Sequence, residues 1–210
     1  MNIPHQLRVG LVLSGLALLA GCGSLLPKPA VPPVLYALDD VTVVVAVQPA
    51  ASAPTLIISA PRAAAGFDTR HIVYQRQPHQ LDYYAQSQWA DTPAQMLAPM
   101  LLRALERGGA FRAVLAAPAA AAGDYRLDTE LIRLQQDFAA TPSRVRLTVR
   151  AVLVNTTTRR AVAAREFDVS MAAPSEDAYG GVRAANQAAR ALLGELALFC
   201  AQALGPASLP

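Results

Sequence analysis

Three stretches in the second half of the chain alternate apolar and polar residues with a period of two. In the first, Tyr125, Leu127, Thr129 and Leu131 are interleaved with Arg126, Asp128, Glu130 and Ile132. In the second, Val145, Leu147, Val149, Ala151 and Leu153 alternate with Arg144, Arg146, Thr148 and Arg150. In the third, Ala163, Arg165, Phe167, Val169 and Met171 alternate with Glu166, Asp168 and Ser170. Successive side chains of a strand point to opposite faces, so each stretch predicts a strand with one solvated face. Turn residues at 140–143 and 155–159 make the three an antiparallel meander.

Shorter strands precede them. Thr55–Ser59 is β-branched and aliphatic, bounded by Pro54 and Pro61. Tyr36–Leu38 begins a first strand, and Val41, Val43, Val44 and Val45 fit an early strand and loop. His71–Gln75 and Gln80–Tyr84 flank Gln77-Pro78-His79 and predict a β-hairpin, followed by Trp89 and a turn at Ala90-Asp91. Phe111–Leu115 is a further short strand, and the alanine-rich run 116–123 an exposed loop.

Two segments carry the helical period instead. Thr92-Pro93-Ala94-Gln95 predicts a helix start, with Thr92 as N-cap, Pro93 at the first position and Gln95 closing a capping box. Leu97, Leu101, Ala104 and Leu105 form its apolar stripe, and Gly108-Gly109 its stop. Pro99 lies inside this pattern and predicts a kink or a later start. After Pro174-Ser175-Glu176-Asp177, the residues Val182, Ala185, Ala189, Leu192, Leu196 and Phe199 mark a helix from about Tyr179 to Leu204. Carboxylates in the preceding loop suit its positive end, and Gly205-Pro206 stops it. The order of elements predicts a mixed α/β domain: one sheet with an antiparallel meander, covered by two main helices.

The front of the chain reads differently. Arg8 precedes an apolar run from Val9 to Ala20, which ends in Leu19-Ala20-Gly21-Cys22. The run has 12 residues, whereas a spanning helix needs about 20. A basic start, a short apolar run and small residues before a cysteine resemble the lipobox of a bacterial lipoprotein signal peptide. Cleavage before Cys22 makes that residue the lipidated N-terminus. Several acyl chains anchor a protein stably, whereas one does so only marginally. Gly23, rather than Asp, follows the cysteine and favours the outer membrane by analogy with Gram-negative lipoproteins. Pro27, Pro29, Pro32 and Pro33 then define a semi-extended tether. The expected boundaries are a signal peptide at 1–21, lipidated cysteine and tether at 22–34, one domain at 35–204, and a disordered tail at 205–210.

Composition sharpens this in three ways. Removing 21 of 210 residues leaves 189, enough for one domain with a real core. Arg8 is the only charged residue removed, so the mature chain carries +2 in place of +3, too little to indicate nucleic acid. With Cys22 as a thioether, Cys200 stands alone among Leu198, Phe199 and Leu204 and reads as a buried, inert thiol.

No catalytic pattern is present. His71 and His79 lack the Cys, His or carboxylate spacing of a metal site, and there is no phosphate loop or dinucleotide fingerprint, so no cofactor is expected. Arg144, Arg146 and Arg150 read as cross-strand partners of Asp128, Glu130, Glu166 and Asp168 rather than as a headgroup site. Tyr74, Tyr83, Tyr84 and Trp89 concentrate aromatics in one region; core packing is the default, and a partner interface the alternative.

From about Leu35 to Leu204 the chain resembles the ABC-type transport auxiliary lipoproteins. The resemblance is carried by His71-Ile72-Val73-Tyr74, by Pro78-His79-Gln80-Leu81-Asp82-Tyr83-Tyr84, and by Trp89-Ala90-Asp91-Thr92-Pro93. Asp124-Tyr125-Arg126-Leu127 and Pro174-Ser175-Glu176-Asp177 add to it. It implies an α/β sandwich like the N-terminal domain of the translocation protein TolB. It also implies a non-catalytic subunit of an envelope lipid-transport system, partnered by an ABC permease, an ATPase and a periplasmic protein of the MCE (mammalian cell entry) type. In that setting the lipoprotein links the assembly to the outer membrane, and some relatives form homo-oligomeric rings. Two other readings compete: a lipid carrier with its own apolar cavity between helix and sheet, and an envelope enzyme with a polar cleft around His71 or His79.

Overall fold

The computed structural model describes residues 31–39 and 48–205. The expected lipobox, most of the expected tether, the valines at 41–45 and the residues after Gly205 lie outside these residues. The elements run β1 (Val34–Tyr36), β2 (Thr55–Ile58), β3 (Arg62–Ala63), β4 (His71–Gln75), β5 (Asp82–Trp89), α1 (Pro93–Arg107), β6 (Ala113–Ala116), β7 (Tyr125–Asp137), β8 (Arg144–Asn155), β9 (Arg160–Ala172) and α2 (Ala178–Ala203). The mixed α/β class and the meander agree with the sequence pattern.

Strand β7 is the spine of a single nine-stranded sheet. One side of it pairs antiparallel with β8, and β8 with β9. The other side takes three parallel partners in succession: β2 at Tyr125–Leu127, β3 at Glu130-Leu131, and β4 at Gln136-Asp137. At one end β2 carries β6. At the other, β4 carries β5 in the predicted hairpin, and β5 carries β1 in parallel. The second hairpin strand starts later than the alternation predicts and runs on through Trp89.

The alternation along β7 breaks once. The register with β8 shifts between Leu131 and Arg133, making Ile132 the extra residue of a bulge. Leu127, Thr129 and Leu131 are buried before it, and Leu134 and Gln136 after it. Reading Ile132 as an ordinary member of the polar face missed this shift.

Both helices contribute to the same core. From α2, Ala184, Ala185, Ala188 and Ala189 are almost fully buried, and their small side chains let the helix sit close to the sheet. Leu192 and Leu196 continue the stripe, with Leu147, Ala151, Leu153 and Phe167 in the same cluster. Met100, Leu101 and Leu105 bring α1 into it. Burying each large side chain of this set contributes on the order of 1.5–3 kcal/mol.

The helix ends partly depart from expectation. Thr92 is the N-cap of α1, but its side chain makes no capping bond. The Asp91 carboxylate instead accepts from the Thr92 N–H at 2.7 Å. The helix also runs unbroken through Pro99. Gln95, whose carbonyl Pro99 leaves without a helical donor, is exposed, as is Pro99, so water can serve that carbonyl. Gly109 supplies the left-handed residue after the helix at φ 68°, and Gly205 does so after α2 at φ 78°.

Candidate interaction surfaces

The hairpin places its aromatics in three environments. Trp89 is 2% exposed and belongs to the core, which corrects its grouping with an interface. Tyr74 and Tyr84 pack with their rings tilted and centres 4.7 Å apart, and Phe138 meets Tyr74 edge-on at 5.8 Å. The Arg76 guanidinium lies over both Tyr74 (5.4 Å) and Phe138 (4.5 Å). Only Tyr83 of the four is exposed, with the His71 ring 5.0 Å away. Phe138 and Arg76 were invisible as members of this group, because each merely follows the end of a strand in sequence.

Behind the cluster runs a hydrogen-bonded chain. The Tyr84 hydroxyl donates to Gln136 Oε1 at 2.9 Å, and Gln136 Nε2 donates to Ser143 Oγ at 2.8 Å. The Ser143 N–H donates to Glu176 Oε1 at 2.8 Å. Burial pushes the Tyr84 phenol up to about 12. The chain ends at the start of α2, where Asp177 accepts from the Gly180 N–H at 2.7 Å and from Ser175 Oγ. Those bonds hold the Asp177 carboxyl below its ordinary range. Gly181 faces Gln136 so closely that a Cβ there would lie 2.2 Å from Oε1. Thus the hairpin motif and the Pro174–Asp177 motif, more than 80 residues apart in sequence, meet around one buried amide.

The solvated face of the meander is largely self-neutralised. Arg146 forks onto Asp168, which also accepts from Thr148 Oγ1 at 3.0 Å. Arg126 pairs with Asp128 on its own strand, and Ser59 Oγ adds a bond at 2.6 Å. The bond from Arg146 holds Asp168 low. For Asp128, burial works upward, but the bonds from Arg126 and Ser59 outweigh it and the net shift is downward. Arg144 turns to Ser170 Oγ and its carbonyl instead of a carboxylate. Cross-strand pairing is therefore real at Arg146–Asp168, while Asp128 takes its partner from within the strand.

The interior offers no ligand chamber among the described residues. The space between α1, α2 and the sheet, lined by Leu97, Leu101, Thr129, Val149 and Leu192, is a cavity of about 10 Å³. That is about one water and far too small for an acyl chain. Thr129 Oγ1 is buried on its wall without a partner. No group of three or more His, Cys, Asp or Glu positioned for a metal occurs among the described residues. Cys200 is fully buried, and burial pushes its thiol up to about 12. No helix among the described residues is long and apolar enough to cross a membrane.

The architecture defines a class: a mixed α/β domain with no interior ligand chamber among the described residues, whose distinctive residues knit a hairpin to a helix start. The model of the ABC-type transport auxiliary lipoprotein component family matches residues 36–197, and the chain belongs to that family. Protein XCC0632 from Xanthomonas campestris, of family DUF330, is 25% identical with a TM-score of 0.69, covering 81% of this chain and 95% of its own. The hypothetical protein CT253 from Chlamydia trachomatis shares the fold at 7% identity and a TM-score of 0.54, covering 73% of this chain and 99% of its own. No curated protein matches the chain.

Proposed function

We propose that this protein is a non-catalytic periplasmic subunit of an ABC-type lipid-transport system of the MCE kind, anchored through lipidated Cys22 and linking the transporter to the outer membrane. The observation that carries the reading is the family match over residues 36–197 behind a lipobox at Leu19–Cys22. A signal peptide over 1–21 and a tether over 22–34 then deliver one domain to the envelope. Among the described residues the space between helices and sheet is only about one water in size, which favours an adaptor over a lipid carrier. The buried Cys200 thiol offers no nucleophile for an enzyme reading. ATP binding and lipid movement belong to the permease, ATPase and MCE-type partners. The exposed side of the hairpin, around Tyr83 and Arg76, is the docking surface best placed for them.

Solubilising membranes under mild detergent and isolating the tagged protein tests this. Recovery of an MCE-type protein with its permease and ATPase is expected, and Tyr83→Ala should reduce it. Recovery of the intact, folded lipoprotein without any of them would overturn the assignment.

A further inference from the structure

The first strand of the domain is also its least covered. Within the described residues β1 pairs only with β5, leaving its other side as a sheet edge. Val34 and Leu35 are 55% and 54% exposed. Successive residues of a strand face opposite ways, so apolar surface is open on both sides of this edge. Unprotected apolar edges invite aggregation and are normally charged, shortened or covered.

The patch continues onto α2. Tyr36 shares a face with Val34, and its ring lies 6.1 Å from that of Tyr179. Tyr179 is 55% exposed. Arg183, one helical turn on, is exposed and on the same side of the helix. Asn186 ties the two elements together: its amide donates to the Ala37 carbonyl at 3.1 Å, and its oxygen accepts from the Asp39 N–H at 2.8 Å. Aliphatic side chains, a tyrosine and an arginine at one corner match the composition of groups that settle at a membrane interface.

We infer that this corner, Val34, Leu35 and Tyr179 flanked by Arg183, rests on the lipid surface and fixes how the tethered domain is oriented. The inference builds on the Cys22 anchor proposed above. Eleven residues separate Cys22 from Val34, so even a fully extended proline-rich tether spans only about 35–40 Å. Of all the folded elements, β1 is the one nearest the anchor along the chain, and the tether lets it reach the bilayer. The anchor supplies the affinity, and the patch supplies orientation at little entropic cost because the domain is already confined. Burial of such a corner into the headgroup region needs a depth of only about 5–10 Å. With β1 down, β9 at the opposite end of the sheet stands about 24 Å higher, counting five strand spacings.

The test uses the full lipidated protein in vesicles of phosphatidylethanolamine and phosphatidylglycerol with quencher-bearing acyl chains. Cys200 is buried and Cys22 is consumed by lipid, so an introduced cysteine is the single reactive thiol. A fluorophore is placed at Tyr179→Cys in one protein and at Leu198→Cys in another. Both positions are exposed and lie on α2, 19 residues and about 28 Å apart. Neither is adjacent to the tether in sequence. Several-fold stronger quenching at 179 than at 198 is expected, with Leu35→Cys behaving like 179. Equal quenching at 179 and 198 in protein that floats with the vesicles would overturn the orientation while leaving the anchor intact. Failure to float would overturn the anchor, and this inference with it.

Discussion

Adding one methyl group at Gly181 should unsettle the junction between hairpin and helix. The new Cβ would sit 2.2 Å from Gln136 Oε1 and 3.0 Å from its Cδ. Gln136 is 1% exposed and cannot swing into solvent. Moving it breaks the bond from Tyr84 and the bond to Ser143, each contributing about 1 kcal/mol. Overpacking adds at least about 1 kcal/mol. Replacing a helical glycine by alanine returns up to about 1 kcal/mol, so Gly181→Ala should cost roughly 2 kcal/mol. For a domain of this size that lowers Tm by about 4–8 °C. Gly194 provides the control on the same helix, because nothing lies within 4 Å of a Cβ there. Gly194→Ala should stabilise by about 0.5–1 kcal/mol. Urea unfolding of the mature chain carrying Cys22→Ser, followed by circular dichroism, measures both. If Gly181→Ala matches or exceeds the stability of Gly194→Ala, the close packing of α2 on Gln136 is wrong.

Three further outcomes follow from single groups. Thr129→Val removes a buried hydroxyl without a partner and should raise stability by about 1 kcal/mol in urea; a loss would show that the hydroxyl is bonded. Asp177→Ala deletes the N-cap of α2 and should cost about 1 kcal/mol near neutral pH. The folded carboxyl titrates below its ordinary value, so this stability is present above about pH 4 and lost as pH falls through the folded pKa. The variant should therefore show a flatter acid limb in a pH series of Tm, and an unchanged limb would refute the capping role. Cys200, with its thiol raised to about 12, should resist maleimide at pH 8 until the protein unfolds; rapid modification of the native protein would contradict its burial.

The meander, the hairpin and both helices were legible because each writes a local period into the sequence. The helix over Ala178–Ala203 and the strand over Arg144–Asn155 lie within a residue or two of where that period places them. What escaped depends on contacts between distant segments. Nothing local announces that β7 pairs with β2, β3 and β4 in turn, or that Ile132 interrupts its alternation. Thr92 and Gln95 satisfy a capping motif, yet Asp91 takes the Thr92 N–H that the motif assigns to Gln95, and the Thr92 side chain makes no capping bond. Trp89 clusters with the tyrosines in sequence but points into the core. Gln136 looks like one polar residue at a strand end and is in fact the buried hub of four segments.

The proposed role, a non-catalytic domain anchored at a membrane, rests on the processing of Cys22. Intact mass measurement of the protein extracted from membranes tests this most directly. The expected species begins at Cys22 and carries the mass of its acyl groups on that residue. A mature chain beginning elsewhere, or an unmodified Cys22 thiol on a membrane-bound protein, would contradict the account.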